Sequence, residues 1–158
     1  MSDLLDNLEN FLKDEKWTRT TINNYTIKSF EDLDNQIDVL REEGLLNDAL
    51  KLTDDYLKNN KNSIIALYLN SFINFKQGSF DDTNVLNLIK IFSDNLKWNI
   101  VEYLCNKTLL YFEDKYVIRI LIDTCNNLNK KDLVFELMER LVKADNAEAE
   151  VPCRLAEM

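Results

Sequence analysis

The stretch from Leu96 to Asp145 constrains the fold most, because its apolar residues recur every three or four positions over three successive segments. These residues are Ile100, Val101, Leu104, Cys105 and Leu109, then Val117, Ile118, Leu121, Ile122, Cys125 and Leu128, then Leu133, Val134, Leu137, Met138, Leu141 and Val142. Such spacing puts them along one side of a helix of about 3.6 residues per turn. It predicts three amphipathic helices that pack antiparallel, because only short connections separate them. Asn129 is the expected N-cap of the third helix.

Turn-forming residues are scarce over the whole chain. Its 158 residues include only two glycines and one proline. Sheet proteins of this length need more glycine in their turns, so we predict an all-α fold of about eight helices. No apolar run approaches the roughly 20 residues of a membrane span. The first residues also lack the positive region of a signal peptide, so a cytoplasmic location is expected.

The residue types needed for common catalytic and metal chemistry are sparse. Histidine is absent, which removes the commonest general base and a usual zinc ligand. Cys105 and Cys125 fall on apolar helix faces, where we expect buried thiols, and Cys153 has no nearby partner cysteine. No nucleophile–base set or phosphate-binding loop is present. We therefore expect no catalytic residue, no cofactor, no metal site and no small-molecule substrate.

The negative charge is concentrated at one end of the chain. The net charge is −9, and residues 1–60 carry 14 acidic against 7 basic side chains. An acidic surface repels a phosphate backbone, so direct nucleic-acid binding is not expected. A basic protein partner would suit this charge, although solubility alone also explains it. The acidic pairs Glu42–Glu43, Asp54–Asp55 and Asp81–Asp82 are expected to be solvated surface residues.

We divide the chain into residues 1–28, an N-terminal helix and connector, and residues 29–158, a series of helical repeats. In the connector, Trp17 either anchors a partner or fills the gap between the first helix and the repeats. Ser29 is the expected N-cap of the next helix, with Asp32 completing a weak capping box. The segment 64–77 is apolar nearly all round, so it should lie in the middle of the stack.

A repeat of 34 residues separates Gly44 from Gly78, and each glycine is expected to end a helix. The segments REEGLLNDAL and KQGSFDD resemble the tetratricopeptide turn. We therefore predict a tetratricopeptide-like antiparallel helical-repeat array, an α-solenoid. The closing proline of that repeat is missing and Thr83 replaces its usual alanine, so an irregular helical bundle is the alternative. Pro152 is expected near the start of a further helix after Asp145, so the array should continue past residue 158.

Helix phase indicates which side chains would face a binding groove on such an array. The candidates are Asn70, Asn74, Arg119, Asp123 and Asn126, with Trp17, Trp98 and Asn99 as anchors. Each of these residues could instead be plain surface or packing. Trp98 in particular follows a helix break, where a large aromatic side chain commonly packs into the corner.

Four segments resemble, in order along the chain, the N-terminal region of the long Gre-type transcription elongation factors of spirochaetes. They read EKWTRTTINNYTIKSFEDLD, KNSIIALYLNS, DNLKWNIVEYLC and MERLVKADNAEAE. In that group a helical-repeat extension precedes a coiled coil, whose acidic tip enters the secondary channel of RNA polymerase. No part of this sequence matches that coiled coil, so the resemblance implies no catalytic residue here.

The resemblance implies a non-catalytic protein-interaction scaffold within a transcript cleavage factor. Its partner would be RNA polymerase or another part of its own chain. The alternative is a free-standing tetratricopeptide-like adaptor that binds peptides and is unrelated to transcription. The sequence that follows residue 158 would separate the two, because only the first predicts a downstream Gre coiled coil.

Overall fold

The computed structural model describes residues 3–14 and 19–157, with side chains at 3–14 and 22–144. Every regular element in these ranges is an α-helix, so the all-α prediction is confirmed. The helices are α1 (Asp3–Asp14), α2 (Arg19–Asn24), α3 (Ile27–Glu42), α4 (Leu46–Asn59), α5 (Ile64–Lys76), α6 (Thr83–Asp94), α7 (Trp98–Leu109), α8 (Lys115–Asn127) and α9 (Lys131–Glu157). None of them, over the described residues, is both long and apolar enough to cross a membrane.

The chain forms two compact units, residues 1–96 with α1 to α6 and residues 97–158 with α7 to α9. We call them unit 1 and unit 2. The division between residues 28 and 29 stays a prediction from the repeat pattern. Part of the expected connector, Arg19–Asn24, is itself helical.

Unit 1 is built around α5, which packs against α3, α4 and α6. Eleven of the thirteen residues of α5 are buried, so its predicted central position in the stack is confirmed. An aromatic cluster joins it to its neighbours. The ring of Phe30 lies 4.9 Å from that of Tyr68 and 5.7 Å from that of Phe92, and Tyr68 lies 4.6 Å from Phe72. Ring pairs at these distances add to the stabilisation from burial alone.

Unit 2 has α8 in the middle, packed on α7 on one side and on α9 on the other. The buried face of α8 consists of Val117, Ile118, Leu121, Ile122, Thr124 and Cys125. The apolar residues of α9 are covered unevenly. Val134 is buried, whereas Met138 and Val142 are exposed, as is the neighbouring Phe135. Much of the apolar surface of α9 is therefore open within the described residues.

Left-handed residues end four of the helices. Gly44 and Gly78 have φ values of 70° and 85°, as predicted for helix-ending glycines. Leu96 and Asn129 adopt the same conformation, each with φ of 59°. The N–H of Asn129 donates to the carbonyl of Asn126 at 3.2 Å, and the N–H of Lys130 donates to that of Cys125 at 2.9 Å. Asn129 thus ends α8, and its predicted role as the N-cap of α9 is wrong.

Two other helix boundaries differ from the prediction. Helix α3 begins three residues before the expected place, because Thr26 is its N-cap and Ser29 completes the capping box from the N3 position. Helix α9 runs continuously from Lys131 to Glu157, without the expected break after Asp145. Alanine and glutamate dominate the residues after Asp145, and no glycine interrupts them, so the helix propensity there is high. Pro152 therefore lies inside α9 and not near the start of a further helix.

Candidate protein-interaction surfaces

The solvent-facing side of α8 carries exposed side chains at positions 116, 119, 123 and 126. Spacings of three and four residues place them in one row along a helix. We call this row, Tyr116, Arg119, Asp123 and Asn126, the α8 stripe. The guanidinium carbon of Arg119 lies 5.9 Å from the centroid of the Tyr116 ring, a cation–π distance. The predicted exposure of Arg119, Asp123 and Asn126 is confirmed.

The scaffold under the α8 stripe is held at its N-terminus by Asp114. This residue is buried, and its carboxylate accepts hydrogen bonds from the N–H groups of Tyr116 at 2.9 Å and Val117 at 3.2 Å. An N-cap of this kind contributes about 1 kcal/mol of helix stability. With the opposite face of α8 buried, the stripe is presented on a rigid element, as a protein-binding surface needs.

Two ion pairs connect the elements on either side of α8. The Lys130 ammonium lies 2.8 Å from the Glu102 carboxylate. The Arg140 guanidinium donates to the Glu113 carboxylate, with Nε 2.9 Å from Oε1. The hydrogen bond from Arg140 holds the pKa of Glu113 below its ordinary value. The stabilisation from this pair is therefore present above the unfolded-state pKa and is lost as the pH falls through the lowered pKa. Both side chains are partly exposed, so it amounts to less than about 1 kcal/mol.

Asn70 does not lie on a groove surface, contrary to the prediction from helix phase. It is 1% exposed, and its amide nitrogen donates to Thr53 Oγ1 at 3.0 Å and to Asp54 Oδ1 at 2.7 Å. Its amide oxygen accepts from Asn84 at 2.9 Å and from the half-buried Asn74 at 3.1 Å. Asn70 therefore joins α4, α5 and α6 through a closed polar network, so it is a packing residue.

The other residues predicted to line or anchor a groove lie in different units of the chain. Trp98 is half-buried at the start of α7, and Asn99 beside it is exposed. Both belong to unit 2, as does the α8 stripe, whereas Asn70 and Asn74 belong to unit 1. Trp17 lies outside the described residues, so its alternative roles remain predictions.

The acidic pairs act as local surface and capping groups. Asp81 accepts hydrogen bonds from the Thr83 hydroxyl at 2.6 Å and its N–H at 2.9 Å, and these bonds lower the pKa of Asp81. Asp54 accepts from Asn70. Over the part of the chain with described side chains, no three cysteine or carboxylate residues gather as a metal site would require.

The Cys105 and Cys125 thiols are buried, as predicted: Cys105 is 0% and Cys125 1% exposed. Burial raises the pKa of both thiols, and the Glu102 carboxylate raises that of Cys125 further.

We expect Cys105 and Cys125 in a Cys153→Ser variant to react with a maleimide at pH 8 at least about 100-fold more slowly when the protein is folded than in urea. The reason is that a buried thiol reacts only through opening of the structure. Mass-spectrometric labelling kinetics measure this, and equal rates in the two states would contradict the burial.

Unit 1 has a further surface that the sequence did not predict, a groove between α1 and α3. Two adjoining cavities of about 380 Å³ and 320 Å³ form it. We call it the α1–α3 groove; it is lined by Leu4, Asn7, Leu8, Phe11, Asp14, Tyr25, Ser29, Asp32, Leu33, Asn35, Gln36, Val39, Leu40 and Ile65. Phe11 of α1 and Val39 of α3 are each 42% exposed. One feature of the sequence indicates this groove: Val39 is apolar but lies outside the buried row of α3, which consists of Phe30, Leu33, Ile37 and Leu40.

Comparison with known proteins gives two similar sequences. The chain is 35% identical over 141 residues to the transcription elongation factor GreA of Borreliella burgdorferi, covering 89% of this chain and 16% of that protein. It is also 35% identical over 133 residues to a putative GreA-associated domains protein of Treponema pallidum, covering 84% of this chain and 20% of that protein. The chain thus spans a fifth or less of the length of these relatives. No family model and no solved structure matches it.

Proposed function

We propose that this chain, which is homologous to a segment of the long Gre-type transcription elongation factors of spirochaetes, is a non-catalytic protein-interaction scaffold of such a factor. The relatives align with nearly all of this chain but with only a small part of their own length. Similarity along most of this chain suits a folded module with its own role. The partner we propose is RNA polymerase or another part of the same polypeptide.

The observation that carries this proposal is the α8 stripe. It presents an aromatic side chain, both signs of charge and an amide in one row on a helix whose other face is buried. Tyrosine and arginine, together with tryptophan, are the residue types most enriched among the strongest contributors to protein–protein binding. None of these groups forms a nucleophile–base pair, so recognition suits the stripe better than catalysis.

The finer architecture that we propose is a tetratricopeptide-like array. The turns after α3 and α5 support it, because they share one geometry 34 residues apart. The N–H of Gly44 donates to Arg41 and that of Leu45 to Leu40, while the N–H of Gly78 donates to Phe75 and that of Ser79 to Asn74. The exposed apolar row of α9 supports a further helix of the same polypeptide packing there, as in a continuing array.

Charge reversal on the α8 stripe tests the proposed role. In the full-length factor, Arg119→Glu combined with Asp123→Lys should weaken capture of purified RNA polymerase about tenfold or more, since central interface residues contribute above about 1 kcal/mol each. Titrated pull-downs measure the effect, and a factor that lacks residues 1–158 is measured in the same assay for comparison.

The matched control is Lys51→Glu combined with Asp55→Lys on α4. These two residues are also exposed and four positions apart, and the net charge is again unchanged. We expect this control to capture polymerase as the unaltered factor does. Equal capture by the unaltered factor and by the truncated factor would rule out polymerase binding through this segment. Unaltered capture by the α8 variant would rule out the α8 stripe as the contact surface. Circular dichroism of each variant excludes unfolding as the cause of a loss.

A further inference from the structure

The floor of the α1–α3 groove is apolar. Leu4, Leu8 and Phe11 of α1 face Val39 and Leu40 of α3 across a cavity of about 380 Å³. Phe11 and Val39 are large apolar side chains, yet each keeps 42% of its surface exposed. Covering this exposed surface would contribute about 25 cal/mol per Å² of apolar area.

The groove has the length of a short helix. The second cavity shares Phe11 and Gln36 with the first, so the two are continuous along α3. The lining positions on α3 run from Ser29 to Leu40, which at a rise of about 1.5 Å per residue is roughly 16 Å, or three helical turns. The walls are helix side chains and offer no open strand edge, so the groove suits a helix better than an added strand.

The two helices that flank the groove are strongly negative, and two of their carboxylates, Asp14 and Asp32, line it. Together α1 and α3 contain nine acidic residues and three basic ones. Each basic side chain already forms an ion pair on its own helix: Lys13 with Glu9, Lys28 with Asp32 and Arg41 with Asp38. The excess of carboxylates favours a cationic occupant and disfavours an acidic one.

Amide side chains stand beside the apolar floor. Asn7 on α1 and Asn35 and Gln36 on α3 line the same cavity. Each can donate and accept a hydrogen bond, so it can pair with lysine and arginine as well as with polar side chains of a helix. The groove therefore combines an apolar floor, an amide rim and an acidic surround.

From these features we propose that the α1–α3 groove binds a positively charged amphipathic helix of a partner protein. The helix places leucine, isoleucine, methionine or phenylalanine side chains at positions i, i+3 or i+4, and i+7 on the floor. Lysine and arginine on its flanks lie over the acidic surround. This surface belongs to unit 1, so the proposal does not depend on the α8 stripe of unit 2.

Fluorescence polarisation with designed peptides tests the proposal on the complete chain. The probe is a labelled 16-residue peptide with leucines at i, i+3, i+7 and i+10, and with lysine and arginine on both flanks. A second peptide replaces the basic residues with glutamate, and a third replaces the leucines with serine. We expect the basic peptide to bind with one-to-one stoichiometry and at least tenfold more tightly than either of the others.

Variants of the chain locate the binding. Phe11→Ser and Val39→Ser should each weaken binding of the basic peptide about tenfold. Phe80→Ser is the matched control, because Phe80 is 50% exposed and lies outside the groove, and it should bind as the unaltered chain does. Each variant is first required to give the unaltered far-ultraviolet circular dichroism spectrum.

Three results would overturn the proposal. They are unaltered affinity in both groove variants, equal affinity for the basic and acidic peptides, and no saturable binding of the basic peptide. None of these bears on polymerase capture through the α8 stripe, so the two proposals fail independently.

Discussion

Replacing Phe30 with alanine is expected to lower the free energy of unfolding of unit 1 by about 4 kcal/mol, within the range of about 3–5 for a buried phenylalanine. Phe30 is fully buried, and its ring contacts the rings of Tyr25, Tyr68 and Phe92. Truncation removes these contacts and leaves a cavity where α3, α5 and α6 meet. Since whole domains are stable by only about 5–15 kcal/mol, such a loss removes much of the stability of unit 1.

Urea denaturation followed by circular dichroism measures this loss. The control is Phe80→Ala, which removes the same ring from a half-exposed position. It should cost less than about 1 kcal/mol, since half of its surface already contacts water. A similar small cost for Phe30→Ala would contradict the central place of the aromatic cluster.

Changing Asn70 to aspartate is expected to cost about 3–5 kcal/mol at pH 7, although the two side chains have nearly the same shape. The amide nitrogen of Asn70 now donates to Asp54 and to the Thr53 hydroxyl. A carboxylate oxygen in its place would face the Asp54 carboxylate. The Thr53 hydroxyl offers little relief, because it donates to the carbonyls of Ala49 and Leu50, each at 3.0 Å.

The cost should depend on pH. Burial and Asp54 would raise the pKa of the introduced carboxyl group above its unfolded value of about 3.9. Such a group binds protons more tightly in the folded state, so the variant loses stability as the pH rises from about 4 through the raised pKa. The urea midpoint of the variant should therefore lie closer to that of the unaltered protein at pH 4 than at pH 7.

Two controls separate charge from shape. Asn70→Ala should cost about 1–3 kcal/mol at both pH values, because it removes hydrogen bonds without adding charge. Asn99→Asp places the same carboxylate on the exposed first turn of α7, where it should be neutral or slightly stabilising. A pH-independent cost for Asn70→Asp, or one as small as that of Asn99→Asp, would contradict the buried network.

Sequence periodicity located the helices well because helix formation is governed by nearby residues. The predicted helix ends at Gly44 and Gly78 were right, since each depends on one residue type that suits a left-handed helix end. Asn129 was misplaced because an asparagine suits both an N-cap and a left-handed helix end, and the two lie close together in a short turn.

The candidate surfaces were predicted unevenly. On α8 the apolar row was complete, so the opposite row of Arg119, Asp123 and Asn126 had to face solvent. On α5 nearly every face is apolar, so periodicity gave no direction for Asn70. Its burial depends on Thr53, Asp54 and Asn84, which come from two other helices.

The sequence by itself determined that this chain is helical, where most of its helices lie and which charge its first third carries. These properties follow from residue spacing and residue type within a few turns. Tertiary structure alone decided which helix covers which face. Helix α1 packs on α4, where the Tyr56 hydroxyl donates to the Leu12 carbonyl at 2.8 Å, and an open apolar groove lies beside α3. An apolar row indicates that a helix needs a neighbour, whereas the choice of that neighbour depends on side chains far away in the sequence.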